Sequence, residues 1–274
     1  MADVPLVSVV MPVLNPHPTY FRQAVDSILA QTLSDLELVI VEDPSESSGA
    51  ELLSGTSDRR LRHIRNKQRT SLVDQRNQAL EASRADFIAM LDADDIAEPT
   101  RLAKQLEFLR THPDVGVLGS QLTIIDEDGA QIGTRSYPTE HDAIVRAMAR
   151  YNSIAQPSVM ARRHVLFDAG CYQYRDFPVN EDYELWSRLA ARGVRLANHP
   201  EALIRYRVHQ SGTKAMMLKR MLRATIDVKD KFWREHMDLR ARARYWSEHA
   251  LLALPASVVL RLFVLTQYAR EKRK

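Results

Sequence analysis

A run of apolar residues that ends in carboxylates constrains this chain more than any other feature. Phe87-Ile88-Ala89-Met90-Leu91 passes directly into Asp92-Ala93-Asp94-Asp95, three acids within four residues. Five consecutive apolar residues read as a buried strand, and open α/β sheets bind ligands outside the carboxyl ends of their strands. Carboxylates this close repel one another, so keeping them charged calls for a cation. Oxygen ligands favour a hard one, Mg2+ or Mn2+. A metal held by few protein ligands completes its shell with substrate phosphates. The run therefore points to a metal-bridged phosphate or nucleotide. Taken alone, Asp-x-Asp is more often a solvated turn that caps the next helix. A second strand, Leu36 to Val41, that also ends in acids, Glu42-Asp43, shifts the balance toward a site.

The pattern around these strands is α/β. Leu6 to Met11 reads as a buried first strand stopped by Pro12, and Asn15-Pro16 as a turn. Tyr20, Phe21, Ala24, Val25, Ile28 and Leu29 fall at helical spacing. A weaker strand over Leu61 to Arg65 and a helix over Leu72 to Ala85 precede the acidic run, and a helix follows Pro99. Strand alternating with helix predicts a Rossmann-like, mostly parallel, doubly wound sheet flanked by helices. Further on, Val115 to Ile125 predicts a strand, and Asp126-Glu127-Asp128-Gly129 a hairpin turn. Helices over Asp142 to Arg150 and Glu181 to Arg192 flank a strand over Ser158 to Ala161. Gly193 closes the second helix. Leu203 to Val208 reads as a last strand, and beyond Thr213 the pattern is helical.

With 274 residues the chain holds one large α/β domain plus an appendage. Its single cysteine, Cys171, allows no intrachain disulfide and no Cys-based zinc site. The N-terminus lacks the basic-then-apolar order of a signal peptide, and no stretch reaches the ~18 apolar residues of a membrane span. These features predict a cytoplasmic protein. The net charge of +3 hides an asymmetry: from Lys214 onward 15 Lys and Arg face 6 Asp and Glu. Val258 to Leu265, apolar and followed by Arg270, Lys272, Arg273 and Lys274, fits a helix lying on anionic membrane at the inner face, although most such segments are packing faces. No motif for reading nucleic acid accompanies the charge.

Three further groups carry candidate chemistry. Arg76-Asn77 lies on the helix before the acidic strand, within reach of a diphosphate or base; the bland alternative is a surface arginine. Asn180-Glu181-Asp182 opens a helix, where such residues are ordinarily caps; a carboxylate there is also placed to act as general base for an acceptor hydroxyl. His209 follows the last strand and, if it meets Asp94, completes a metal shell.

In order along the chain, these residues resemble family 2 glycosyltransferases, inverting enzymes of the GT-A fold. Val7 to Pro12 with Asn15 is similar to the family's opening strand, and Ser27 to Thr32 to its first-helix signature. Glu42-Asp43-Pro44-Ser45 stands where the family has Asp-Asp-Gly-Ser. Arg76-Asn77-x-Ala79, Leu91-Asp92-Ala93-Asp94-Asp95, Glu181-Asp182-x-x-Leu185-Trp186 and Tyr206-Arg207-x-His209 match its later motifs. The resemblance implies a GT-A domain over residues 1–212, with a nucleotide-sugar half of about 1–115 and an acceptor half of about 116–212. A basic helical tail over 213–274 follows.

It implies a nucleotide-sugar donor, by default a UDP-hexose, bound near Pro12, Asn15, Asp43, Arg76, Asp92, Ala93 and Asp94. Asp43 would take the base and Asp92 the ribose or the metal's outer shell. Mn2+ or Mg2+ would sit on Asp94 and His209 with Asp95 in support, and Asp182 would be the catalytic base. The implied acceptor is a saccharide or lipid-linked saccharide of bacterial surface polysaccharide. Two departures stand out: Pro44 in place of glycine in the base loop, and Ser71 where a glycine often precedes the Arg-Asn helix. Two other readings remain open at this point: a metal-dependent phosphotransferase built on Asp-x-Asp, and a nucleotide-sugar-binding protein without turnover.

Overall fold

In a computed structural model of the chain, residues 4–173, 179–209, 215–255 and 258–259 are described. β1 (Val7–Val13) leads into α1 (Pro18–Leu29), β2 (Leu36–Glu42), a short α2 (Gly49–Leu52) and β3 (Leu61–Arg65). Then come α3 (Leu72–Ala82), β4 (Phe87–Met90), a two-residue β5 (Ile96–Ala97) and α4 (Arg101–Thr111). The second half holds β6 (Val115–Ile125), β7 (Gln131–Arg135), α5 (His141–Met148), β8 (Met160–Arg162), α6 (Arg163–Asp168), α7 (Glu181–Ala191) and β9 (Arg195–Arg207). α8 (Ala215–Phe232) and α9 (Leu239–Ala253) follow.

One nine-stranded sheet runs β3-β2-β1-β4-β8-β6-β9-β5, with β7 paired to β6. The first four strands are parallel, Val9 lying between Leu38 of β2 and Ala89 of β4. Their residues alternate between two cores. Val9, Met11, Leu38, Ile40 and Ala89 pack with α1 and α4, whereas Val10, Val39, Val41, Ile88 and Met90 pack with α3, α5 and α7. Burial on both faces is why these segments read as unbroken apolar runs. The predicted α/β class holds, but parallel pairing does not extend across the sheet: β8 runs antiparallel to β4 and β6, and β5 to β9.

Several boundaries differ from the sequence reading. Pro12 does not stop β1. Val10 O accepts from Leu91 N–H, so alternate residues of β1 bond toward β4, and Pro12 points there after β4 has ended at Met90. Its missing donor therefore costs no ladder bond. α3 ends at Ala82, where Ser83 turns extended and its hydroxyl bonds back to Ala79 O. β9 begins at Arg195 rather than Leu203, because the polar stretch Asn198-His199-Pro200 hides its first half. The acid-bearing ends of β2 and β4 are not neighbours; they flank β1.

The basic C-terminal stretch is not a separate object over its described length. Ile226, Val228, Trp233, Ala241 and Tyr245 join the core cluster that contains Trp186 and Leu189 of α7. Trp233 Nε1 donates to Ser187 Oγ (2.9 Å), and the buried Lys229 pairs with Glu248 at 2.6 Å. Charge counts register the exposed side of α8 and α9 and miss the apolar side that packs. Of the segment Val258 to Leu265, only Val258 and Val259 are described, so the expected membrane contact there lies outside the described residues. Among the described residues no helix is long and apolar enough to cross a membrane.

Buried Glu37 accepts from Ser8 Oγ (2.6 Å), Arg84 N–H (2.8 Å) and the guanidinium groups of Arg62 and Arg84 (2.9 Å each). Burial opposes its charge, but these donors outweigh burial and lower its pKa from 4.5. A carboxyl depressed in the fold contributes stability above its unfolded pKa and loses it as pH falls through the folded one. Urea unfolding should therefore find Glu37→Gln destabilised by about 2 kcal/mol at neutral pH, with the gap to wild type closing in acid.

Candidate active site

The acidic run forms a tight turn directly after β4. Asp95 N–H bonds back to Asp92 O (3.3 Å), which separates the three carboxylates. Asp94 faces outward with its side chain 40 % exposed, and Asp92 is one-third exposed. Asp95 is buried and accepts the backbone N–H of Arg207 (2.8 Å). Burial, with the charges of Asp94 and Asp92 beside it, pushes the Asp95 carboxyl well above the usual range. Asp95 thus ties the turn to the end of β9.

That tie brings the predicted pair together. His209 Nε2 lies 2.7 Å from Asp94 Oδ2, from positions 115 apart in sequence. Arg207 holds both. Its Nε donates to Asp94 O (3.0 Å), Nη1 to Asp126 O and Glu127 O (3.0 Å each) and Nη2 to Gln23 Oε1 (2.8 Å). The guanidinium lies 4.2 Å from the ring centre of Tyr20, which in turn sits 5.7 Å from the His209 ring. The sequence reading gave Arg207 no role; its only signal was its place two residues before His209.

On the other side of the turn, Arg76 is buried rather than open to a ligand. Its Nη2 lies 3.2 Å from Asp92 Oδ1 and its Nη1 3.0 Å from Glu181 Oε1, with Tyr172 beneath the guanidinium. Arg76, expected within reach of a diphosphate or base, is paired here with two carboxylates of the chain itself. Asn77 exchanges two hydrogen bonds with the backbone of Tyr172 (2.9 and 3.0 Å).

Asp182 sits in the first turn of α7, its Oδ2 accepting from Asn152 Nδ2 (2.8 Å) and its Oδ1 from Tyr183 N–H (2.8 Å). Burial raises its pKa despite the nearby Arg76. Burial also raises Asp92, against the pull of Arg76 and with Asp94 and Asp182 adding to the rise. Glu181, buried beside Asp182, is pushed up to about 7. The sequence drew attention to Glu181 only as part of the helix-opening cluster; its burial and its pairing with Arg76 carry no local signature. Asn180 does not cap α7: with φ at +67° it turns its amide to Met221 O (3.1 Å) and Thr225 Oγ1 (2.9 Å) of α8.

The β1 and β2 ends meet nearby. Asn15 N–H donates to Ser45 Oγ (2.9 Å), and its side-chain oxygen accepts from Ser47 N–H (3.1 Å), stitching the two loops just past Pro12. Asp43 is fully buried, accepting from Asn66 Nδ2 (2.7 Å) and from Thr70 N–H (2.6 Å) and Oγ1. Burial alone would raise its carboxyl; the donors Asn66, Thr70 and Gln75 hold it below the ordinary value. Both oxygens are engaged, so a nucleotide base would exchange with one of these donors. Ser71, the second departure, caps α3 by accepting Asp74 N–H (3.1 Å).

Among the described residues no group of three or more His, Cys, Asp and Glu gathers around one point. Of the expected metal residues, Asp94 and His209 are paired and partly exposed, and Asp92 is one-third exposed with one oxygen on Arg76. A carboxylate oxygen with an imidazole nitrogen suits Mn2+ or Mg2+ when phosphates supply the remaining ligands.

Comparison with known proteins identifies the family. Residues 8–174 match the profile of glycosyl transferase family 2. The chain is 32% identical over 226 residues to an uncharacterized glycosyltransferase of Haemophilus influenzae, covering 79% of this chain and 69% of that one. It is 30% identical to the O-antigen biosynthesis glycosyltransferase WbnJ of Escherichia coli (78% and 84% covered). It is 28% identical to the UDP-Glc:alpha-D-GlcNAc-diphosphoundecaprenol beta-1,3-glucosyltransferase WfaP of Escherichia coli (80% and 83% covered). In fold it is similar to the mannosyltransferase PcManGT of Pyrobaculum calidifontis in complex with GDP-Man and Mn2+, with a TM-score of 0.64 at 18% identity, covering 98% of this chain and 75% of that one. The fold is GT-A and the protein is a glycosyltransferase. The chain belongs to glycosyl transferase family 2, which sets aside the phosphotransferase alternative.

Two outcomes follow from the site. Partners one step behind a metal ligand are typically worth ~10–100-fold in metal affinity, so Arg207→Met should weaken Mn2+ binding in the presence of nucleoside diphosphate by about tenfold, read by calorimetry. Glu181 has a folded pKa raised to about 7 from 4.5. The stability this contributes is full below the unfolded value and is lost as pH rises through the folded one. Glu181→Gln should therefore flatten the decline of melting temperature between mildly acidic and mildly alkaline buffer.

Proposed function

We propose that this glycosyltransferase moves a hexose from a nucleoside diphosphate, UDP by default, to a hydroxyl of a saccharide or lipid-linked saccharide, with inversion at the anomeric carbon. The acceptor class is one used in bacterial surface polysaccharide. Support for it comes from the relatives, one of O-antigen biosynthesis and one acting from UDP-Glc on a diphosphoundecaprenol-linked sugar. The observation that carries the reaction is the bridge through Arg76. It joins Asp92, next to the Asp94–His209 pair, to Glu181, next to Asp182, so donor-side and acceptor-side carboxylates share one site.

In this reading Asp182 removes the acceptor hydroxyl's proton as that oxygen bonds to the anomeric carbon and the bond to the departing diphosphate breaks. Asn152 and the Tyr183 N–H hold the carboxylate in one orientation. Burial lifts its proton affinity toward that of a working base. Mn2+ or Mg2+ bound by Asp94 and His209 would supply Lewis-acid neutralisation of charge on the leaving diphosphate. Asp92, steadied by Arg76, is positioned for the ribose. Asp43, held by Asn66 and Thr70, would take the base, and Pro12, Asn15 and Ala93 would contact the donor. In this reading the substrates are the donor and the acceptor, and nucleic acid has no part.

The test is Asp182→Asn. General-base assistance is worth ~10²–10⁴ in rate, so the variant should bind nucleotide as wild type does and lose transfer by at least about a hundredfold. Near wild-type turnover would remove Asp182 from the role. A thermal-shift panel of nucleotide sugars with Mn2+ identifies the donor as the one that raises the melting temperature.

A further inference from the structure

The outer face of α9 has a composition that folding does not explain. Inward, Ala241, Tyr245 and Glu248 are buried, with Tyr245 Oη donating to Asp230 (2.7 Å). Outward, Leu239 is 84 % exposed and Trp246 64 %. At helical spacing Leu239, Ala243, Trp246 and Ala250 share one stripe. Arg240, Arg242 and Arg244 are exposed beside it. The helix's one acid, Glu248, is buried between Lys229 (2.6 Å) and Arg244 (3.0 Å), and Asp238 just before the helix caps it by accepting Ala241 N–H. Within α9 the exposed surface is therefore cationic and apolar, with no exposed acid. The other two tryptophans, Trp186 and Trp233, are buried, so Trp246 is the exception.

Charge decides what covers this face. A second copy docking about a two-fold axis would bring the arginines against themselves. The sequence after Val259 adds Arg261, Arg270, Lys272, Arg273 and Lys274 against Glu271, so it would repel rather than neutralise. Nucleic acid would satisfy the arginines and leave Leu239 in water. An anionic bilayer satisfies both: phosphates take the arginines, and Trp and Leu enter the boundary between headgroups and acyl chains. We infer that the outer face of α9 docks on an anionic lipid bilayer, with the helix lying in the interface. The inference rests on the lipid-linked acceptor proposed above for its purpose, but its test uses neither donor nor acceptor, so the two fail separately.

The full chain is mixed with vesicles of phosphatidylglycerol and phosphatidylcholine, or phosphatidylcholine alone, carrying brominated acyl chains. Sedimentation with the anionic vesicles and quenching of tryptophan fluorescence are expected, the quenching lost in Trp246→Phe. Basic residues near an anionic surface each add about 1 kcal/mol, so Arg240→Gln with Arg242→Gln should weaken vesicle binding at least about tenfold. All three side chains are exposed, and unchanged circular dichroism and melting temperature show that the variants fold. Failure to sediment with anionic vesicles overturns the inference. So does sedimentation without quenching from Trp246, which moves the contact elsewhere. A vesicle-free dimer that dissociates in Trp246→Ala overturns it in favour of a second copy.

Discussion

A buried guanidinium joins the two halves of this enzyme. Arg76 comes from α3 and lies between Asp92 after β4 and Glu181 at the start of α7. A cation removed from water is tolerated when carboxylates meet it, and each carboxylate beside it is costly without it. The charge and its two partners therefore constrain one another. Asp92 is held at the edge of the acidic turn, and α7 is held with its first residues, including Asp182, facing the same place. Burial without enough compensating cation accounts for the raised proton affinities of Asp92, Glu181 and Asp182.

Arg207 does a parallel task on the outer side. Asp95 holds its backbone and its guanidinium gathers Asp94, the β6–β7 turn, Gln23 and Tyr20. The two residues left outward, Asp94 and His209, are thus mounted on a buried frame, paired with each other at 2.7 Å while their side chains stay partly exposed. Such a division, one set of polar groups inward to position and another outward to bind, lets a site be rigid and open together.

The C-terminal helices extend the same logic. α8 receives the Asn180 amide and Trp233 beyond it packs against α7, so the placing of α7 depends on residues that lie past the family's matched span of 8–174. α9 then presents arginine and tryptophan outward, a surface with a different partner from the site.

β1, β2 and β4 of the parallel half were legible because burial on both faces leaves mostly apolar runs, and the helices between them have their own period; β3, half-buried and carrying Arg62, His63 and Arg65, read as weaker. The acidic turn, Asp182 and His209 were legible as chemistry at strand and helix ends. Not legible were the first half of β9, written in polar residues, the two-residue β5, too short to show a period, and the antiparallel direction of β8, whose strand the sequence did show. The sequence by itself determined which segments alternate, where they stop and which residue types stand at the sheet's edge. Only the tertiary structure decided which polar groups meet: Asp95 turned inward and Asp94 outward, Arg76 buried between two carboxylates, and α8 part of the body. Those pairings join positions far apart in the chain, as Asp94 and His209 are, and contact without sequence proximity leaves no pattern in the sequence.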